Sequence, residues 1–176
     1  MGKEKPKVGI KKELIGQMKS LLDFDPQTGV FTWKVTRNHL SRAGTVAGCN
    51  SSNGYIRIHI LGRTYHAHRL AWIFQYNETS SLDIDHIDGN KKNNRIANLR
   101  LATRSQNNHN APPNRKNTSG YRGVYFNKNA KKWMAMIIYK GERMYLGYHH
   151  TPELAAMAYQ EASQKLLGEF SKPQLP

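Results

Sequence analysis

The stretch His109 to Ser119 (HNAPPNRKNTS) limits what this chain can fold into more than any other part of it. The adjacent prolines 112 and 113 oppose both helix and sheet, three asparagines and two bases surround them, and almost nothing there gains from burial. One core cannot run through such a segment, so the apolar pattern on each side must close on itself. The expectation is an α+β protein of two small domains, residues 13–110 and 119–171, joined by a linker at 111–118. A basic, mobile arm at 1–12 precedes them.

Ahead of the break, Leu14, Ile15, Met18, Leu21 and Leu22 recur at helical spacing and predict a helix over 12–22. Asp25 to Gly29 (DPQTG) reads as a turn leading to a strand at 30–35. Ile56, Ile58 and Ile60 alternate with polar residues, Leu61-Gly62-Arg63 turns the chain, and a return strand is expected at 64–67. From His68 the period becomes helical. Short strands follow at 82–87 and 98–102. Thr103 and Gln106 have the spacing of a capping box, so a helix should open at Arg104 and carry Asn107. Beyond the break come strands at 121–127, 132–139 and 143–148, and then a helix capped by Thr151 with Pro152 at its first position.

Charge narrows the partner. Lys and Arg number 27 against 12 acidic residues, a net +15, which points to a polyanionic partner, most often nucleic acid and less often an anionic membrane surface. Seventeen of the 27 bases precede residue 111, so both halves should touch it. No run of about 18 apolar residues predicts a membrane span, and the N-terminal arm lacks the apolar core of a secretory signal. The single cysteine, Cys49, excludes an intrachain disulfide framework and a Cys-rich zinc site. A reducing cytoplasm is the expected setting, with no membrane and no obligatory protein partner.

Chemistry concentrates in residues 85–107 (DHIDGNKKNNRIANLRLATRSQN). A strand–strand–helix unit can bring Asp85, His86, Asn98 and Asn107 to one concave spot. A carboxylate and an amide oxygen, from Asp85 and Asn107, suit Mg²⁺, which keeps several waters and takes few protein ligands; Mn²⁺ could substitute. His86 suits a general base near neutral pH, and Asn98 could orient its ring. Arg69, Arg100 and Arg104 could contact phosphate beside the site, with solvated or structural roles as the alternative. A calcium loop built on Asp83, Asp85 and Asp88 fails on spacing and has no closing Glu. His66 and His68 more simply pack at a helix start.

Together with His68-Arg69-Leu70, Asp85-His86-Ile87-Asp88-Gly89-Asn90, Asn93-Asn94, Asn98-Leu99-Arg100 and Asn107, this segment resembles the HNH (ββα-metal) nucleases, in particular the phage and intron homing endonucleases. The resemblance runs over roughly 21–110 and implies Asp85 and Asn107 as metal ligands, His86 as general base and Asn98 as its orienting partner. The third letter is Asn107 where many relatives have His, which argues against a softer metal.

Past the break, Tyr121-Arg122-Gly123-Val124, Lys132-Trp133, Leu146-Gly147 and Ala155-Ala156-Met157-Ala158-Tyr159 resemble an AP2/ERF DNA-binding domain. The resemblance implies a three-stranded sheet laid in the major groove, with Arg122, Tyr125, Asn127, Lys132, Arg143 and Tyr145 as contacts. Alternation places Val124, Phe126, Trp133, Ala135, Ile137 and Leu146 inward. The expectation is a Mg²⁺-dependent endonuclease of homing type that nicks double-stranded DNA as a monomer in a host cytoplasm, with the AP2-like unit for recognition. Two rivals stay open: a catalytically inactive DNA-binding regulator, and an RNA binder using Tyr125 and Tyr145 as stacking surfaces.

Overall fold

The computed structural model describes residues 11–39, 41–110 and 117–173. The expected basic arm and linker fall largely outside this range. The chain divides into two compact units, Met1–Ala102 and Thr103–Pro176. Both mix short antiparallel sheets with helices, and among the described residues no helix is long and apolar enough to cross a membrane.

The first unit opens with helix α1 (Lys12–Leu21), whose apolar stripe buries Ile15 and Met18. Strand β1 (Leu22–Asp25) follows at once, so Leu22 belongs to the sheet rather than to the helix. Helical periodicity runs into the strand there and hides the boundary. β1 pairs with β2 (Val30–Trp33) in the register Leu22↔Trp33 to Asp25↔Val30. The turn between them is built by Asp25, whose carboxylate accepts from the Gln27 amide at 2.8 Å and the Thr28 hydroxyl at 2.8 Å. A second sheet orders β3 (Cys49–Asn50), β4 (Ile56–Ile60) and β5 (Arg63–His66). Leu61 and Gly62 link β4 to β5 with φ of +50° and +72°, the left-handed pair that suits a two-residue hairpin. Helix α2 (Ala67–Tyr76) buries Leu70, Ala71 and Ile73 and stops at Asn77, where φ is +56°. These faces share one core with Ile58, Ile60, Ile84 and Leu99. On that core rests the hairpin of β6 (Asp83–His86) and β7 (Leu99–Ala102), preceded by a 3-10 turn at Ile96–Asn98.

The second unit begins with α3 (Arg104–Asn110). The capping box forms both ways: the Gln106 amide donates to Thr103 Oγ1 at 3.3 Å, and the Thr103 amide donates to Gln106 Oε1 at 2.8 Å. A three-stranded sheet is ordered β10-β9-β8 from β8 (Val124–Asn127), β9 (Lys132–Tyr139) and β10 (Glu142–His149), and α4 (Pro152–Leu167) packs across it. Thr151 caps α4 by accepting from the Leu154 amide at 3.3 Å. Val124, Ala135, Ala155 and Ala156 form the core. Phe126, expected inside, is 48% exposed; it lies at the end of β8, where Trp133 covers it edge-on at 5.1 Å.

Gly123 is the pivot of this packing. Its φ is +69°, and a Cβ there would sit 2.3 Å from the Tyr159 ring and 2.5 Å from the Met136 carbonyl oxygen. Gly123→Ala therefore combines a left-handed backbone with overpacking and should cost at least about 2 kcal/mol of stability. Urea unfolding of the variant checks this, and an unchanged midpoint would show that Tyr159 yields freely.

Candidate active site and nucleic-acid surface

Strand β6 carries Ile84, Asp85 and His86 into burial, and Asp85 and His86 are each only 4% exposed. Across the ladder Asp85 lies directly opposite Arg100. The Arg100 Nε donates to Asp85 Oδ2 at 3.0 Å, a charge-assisted bond in a nearly dry place. Arg100, for which a phosphate contact and a structural role both stood open, uses its Nε on the carboxylate. The next residue along a strand faces the other way, yet the His86 ring still feels the Asp85 charge.

His86 meets Asn94, 3.2 Å from Nε2 to Oδ1. With the amide oxygen accepting from Nε2–H, Nδ1 holds the ring's lone pair. Asn94 itself is 1% exposed, and its amide donates to the Lys92 carbonyl at 3.3 Å. Asn98 works elsewhere: its side chain donates to Asp88 Oδ1 at 3.0 Å and to the Asn93 carbonyl at 2.8 Å, and accepts from the Asp88 amide at 3.1 Å. Asp88 also accepts from the Asn93 amide group at 2.7 Å. Asn98 therefore braces the loop that delivers Asn94, and its hold on the imidazole runs through that loop.

Burial pushes the His86 imidazole below the ordinary histidine value, against the opposing pull of Asn94, Asp88 and Asp85. Burial thus favours the uncharged ring. Around it stands an aromatic box that sequence reasoning did not foresee. The His68 ring meets His86 edge-on at 5.0 Å, and the Tyr55 ring lies 5.1 Å from His68 and 6.0 Å from His86. Lys91 sits 4.8 Å over Tyr55 and donates to the Asn53 carbonyl at 3.0 Å, which pins the ring. His68 is pushed down to about 3, first by burial and then by the His86, His66 and Arg69 charges, so it stays uncharged. Arg69 lies 3.9 Å from Asp83.

Asn107 lies on α3 and is half-buried, its amide bonded to the Thr103 carbonyl at 2.9 Å; Arg104 is exposed. Both belong to the second unit. For a metal, the chemistry of the donors decides. Among the described residues no group of three His, Cys, Asp or Glu side chains could hold an ion unaided. Asp85 offers a hard carboxylate oxygen, the donor type that Mg²⁺ takes, rather than a soft one.

In the second unit the face of the sheet opposite α4 presents Tyr125, Asn127, Lys132, Arg143 and Tyr145. Tyr125 and Tyr145 are 48% and 54% exposed. The register slips between Tyr145 and Tyr148 at a bulge, with Gly147 at φ +105°. Tyr148 is thereby turned onto the same face, where its ring packs edge-on to Tyr145 at 5.5 Å and its hydroxyl accepts from Asn127 at 2.8 Å. Period-two reading missed it. A glycine inside a strand was the available signal. Arg122 is turned toward α3, and its Nη1 donates to the Asn108 carbonyl at 3.0 Å.

Residues 65–109 match the HNH endonuclease family model, and residues 119–169 match that of the AP2 domain. Protein 3.8 of Escherichia phage T7 is 33% identical over 89 residues, which cover 51% of this chain and 73% of the phage protein. An uncharacterized HNH endonuclease, L560, of Acanthamoeba polyphaga mimivirus is 36% identical over 94 residues, or 53% of this chain and about half (48%) of that one. Among solved structures, the HNH homing endonuclease I-HmuI, in a study of its DNA binding and cleavage, aligns over 84% of this chain and 77% of its own, at 22% identity and a TM-score of 0.39. A match to the HNH model over the segment that buries Asp85 and His86, followed by a match to the AP2 model over the sheet and its covering helix, places the chain in the HNH endonuclease family, as a nuclease with an AP2 domain.

Proposed function

We propose that this nuclease hydrolyses phosphodiester bonds in double-stranded DNA with Mg²⁺, one strand per encounter as a monomer, and uses its AP2 unit to choose where. One observation carries the reading: a histidine and a carboxylate, both sealed at the end of β6, each have a dedicated neighbour, Asn94 and Arg100. His86 takes a proton from water at Nδ1 while Asn94 fixes the ring through Nε2. Asp85 and Asn107 are the proposed ligands. The ion, when bound, supplies positive charge against the phosphorane-like transition state and the leaving oxygen. Arg69 and Arg104 add phosphate contacts, and Tyr125, Asn127, Lys132, Arg143 and Tyr145 form the proposed contact surface of the AP2 unit. A host cell's cytoplasm is the proposed setting.

Supercoiled plasmid tests this directly. With Mg²⁺ or Mn²⁺ the open-circular form should appear before any linear product, and EDTA should stop it. Asp85→Asn should slow nicking roughly a hundredfold or more. A plasmid that is bound but never cut would leave only a DNA-binding regulator, and linear product formed without a nicked precursor would refute the single-strand reading.

A further inference from the structure

We infer that Arg122 is a positioning residue of the nuclease: it seats α3, and so makes the AP2 unit the mount for Asn107. This rests on the proposed role of Asn107 as a metal ligand. The helix reads RSQNNHN and has no apolar residue with which to bury itself. Isolated helices shorter than about 12 residues are marginal in water, so a seven-residue helix must be held by something else. Its N-terminus has the Thr103–Gln106 box. Its last turn leaves carbonyls without helical partners, and there the Arg122 guanidinium donates to the Asn108 carbonyl at 3.0 Å. The His109 ring adds a hydrogen bond to the backbone of Ile138 on β9. Beyond these, α3 packs against the 3-10 turn Gly168–Phe170, which follows α4. Every one of these anchors lies within the second unit.

The seat also borders the sheet face proposed to meet DNA. A cleft of about 240 Å³ is lined by Ser105, Asn108 and His109 from α3 and by Arg122, Tyr125 and Met136 from the sheet side. An AP2 arginine at position 122 would be expected to reach DNA from here; in this chain its Nη1 donates to a helix end. A guanidinium holding Asn108 fixes the rotation of the residue before it, Asn107, about the helix axis.

Hydrogen exchange on the full chain, read together with metal dependence, tests this. In Arg122→Gln the amides of α3 should exchange about tenfold faster while those of β8 to β10 keep their protection. The half-saturating Mg²⁺ for plasmid nicking should rise about tenfold. Affinity for a 30-base-pair duplex in EDTA should stay within twofold. Arg122→Lys, which keeps the charge but loses the fork, should behave like Gln. Unchanged α3 exchange, or a duplex affinity that falls with Gln and returns with Lys, would overturn the inference and make Arg122 a DNA contact. Asn107→Ala separates the two readings: α3 should stay protected while nicking collapses. Full nicking in that variant would remove the ligand assignment, and with it the purpose of the mount, whatever Arg122 does to exchange.

Discussion

His86→Ala should lose nicking by roughly a hundred- to ten-thousand-fold, the range a positioned general base contributes, while duplex affinity stays near that of the native protein. The separation follows from burial. At 4% exposure the imidazole offers little surface to the DNA backbone, so its removal touches chemistry rather than docking. The box of Tyr55 and His68 should keep the site's shape around the smaller side chain. Plasmid nicking and duplex titration on one preparation check both halves. A variant that still cuts at the native rate would assign the proton to another group.

Arg100→Leu should destabilise the first unit by about 3–5 kcal/mol, because it withdraws a guanidinium from a carboxylate that is 4% exposed. Asp85→Asn together with Arg100→Leu should recover much of that loss, since no formal charge then remains buried. Urea unfolding of the two single variants and the double variant provides the cycle. If the double variant is as unstable as the sum of the singles, packing of the Arg100 stem and not charge dominates the ladder pair.

Much of this architecture could be read from the chain because its signals are local. The Ile56–Ile58–Ile60 alternation, the Thr103–Gln106 box and the Thr151–Pro152 helix start each depend on neighbours a few residues apart, and each appears where expected. β1 escaped because Leu22 satisfies a helical stripe and a strand equally well. Asn94 escaped for a different reason. It is one of several asparagines in the segment, and composition cannot rank them. Only closure of the loop around Asp88 sends Asn98 to the brace and Asn94 to the ring. The same holds for His68 and Tyr55: they come from α2 and from the approach to β4, and only the packing of those elements against the β6–β7 hairpin brings their rings beside His86.

The turn between β1 and β2 has an effect well outside its own hairpin. Gly29, at φ +73°, lies so close to the peptide joining Asn94 to Arg95 that a Cβ on it would stand 2.4 Å from the Arg95 nitrogen, and beside it the Ile96 amide donates to the Pro26 carbonyl at 3.1 Å. A hydrogen atom is the thinnest shim available, and here it sets the height of the ledge from which Asn94 reaches the imidazole. A residue on a different hairpin thus fixes the loop that holds the His86 ring, and any side chain at 29 would displace Asn94 from it.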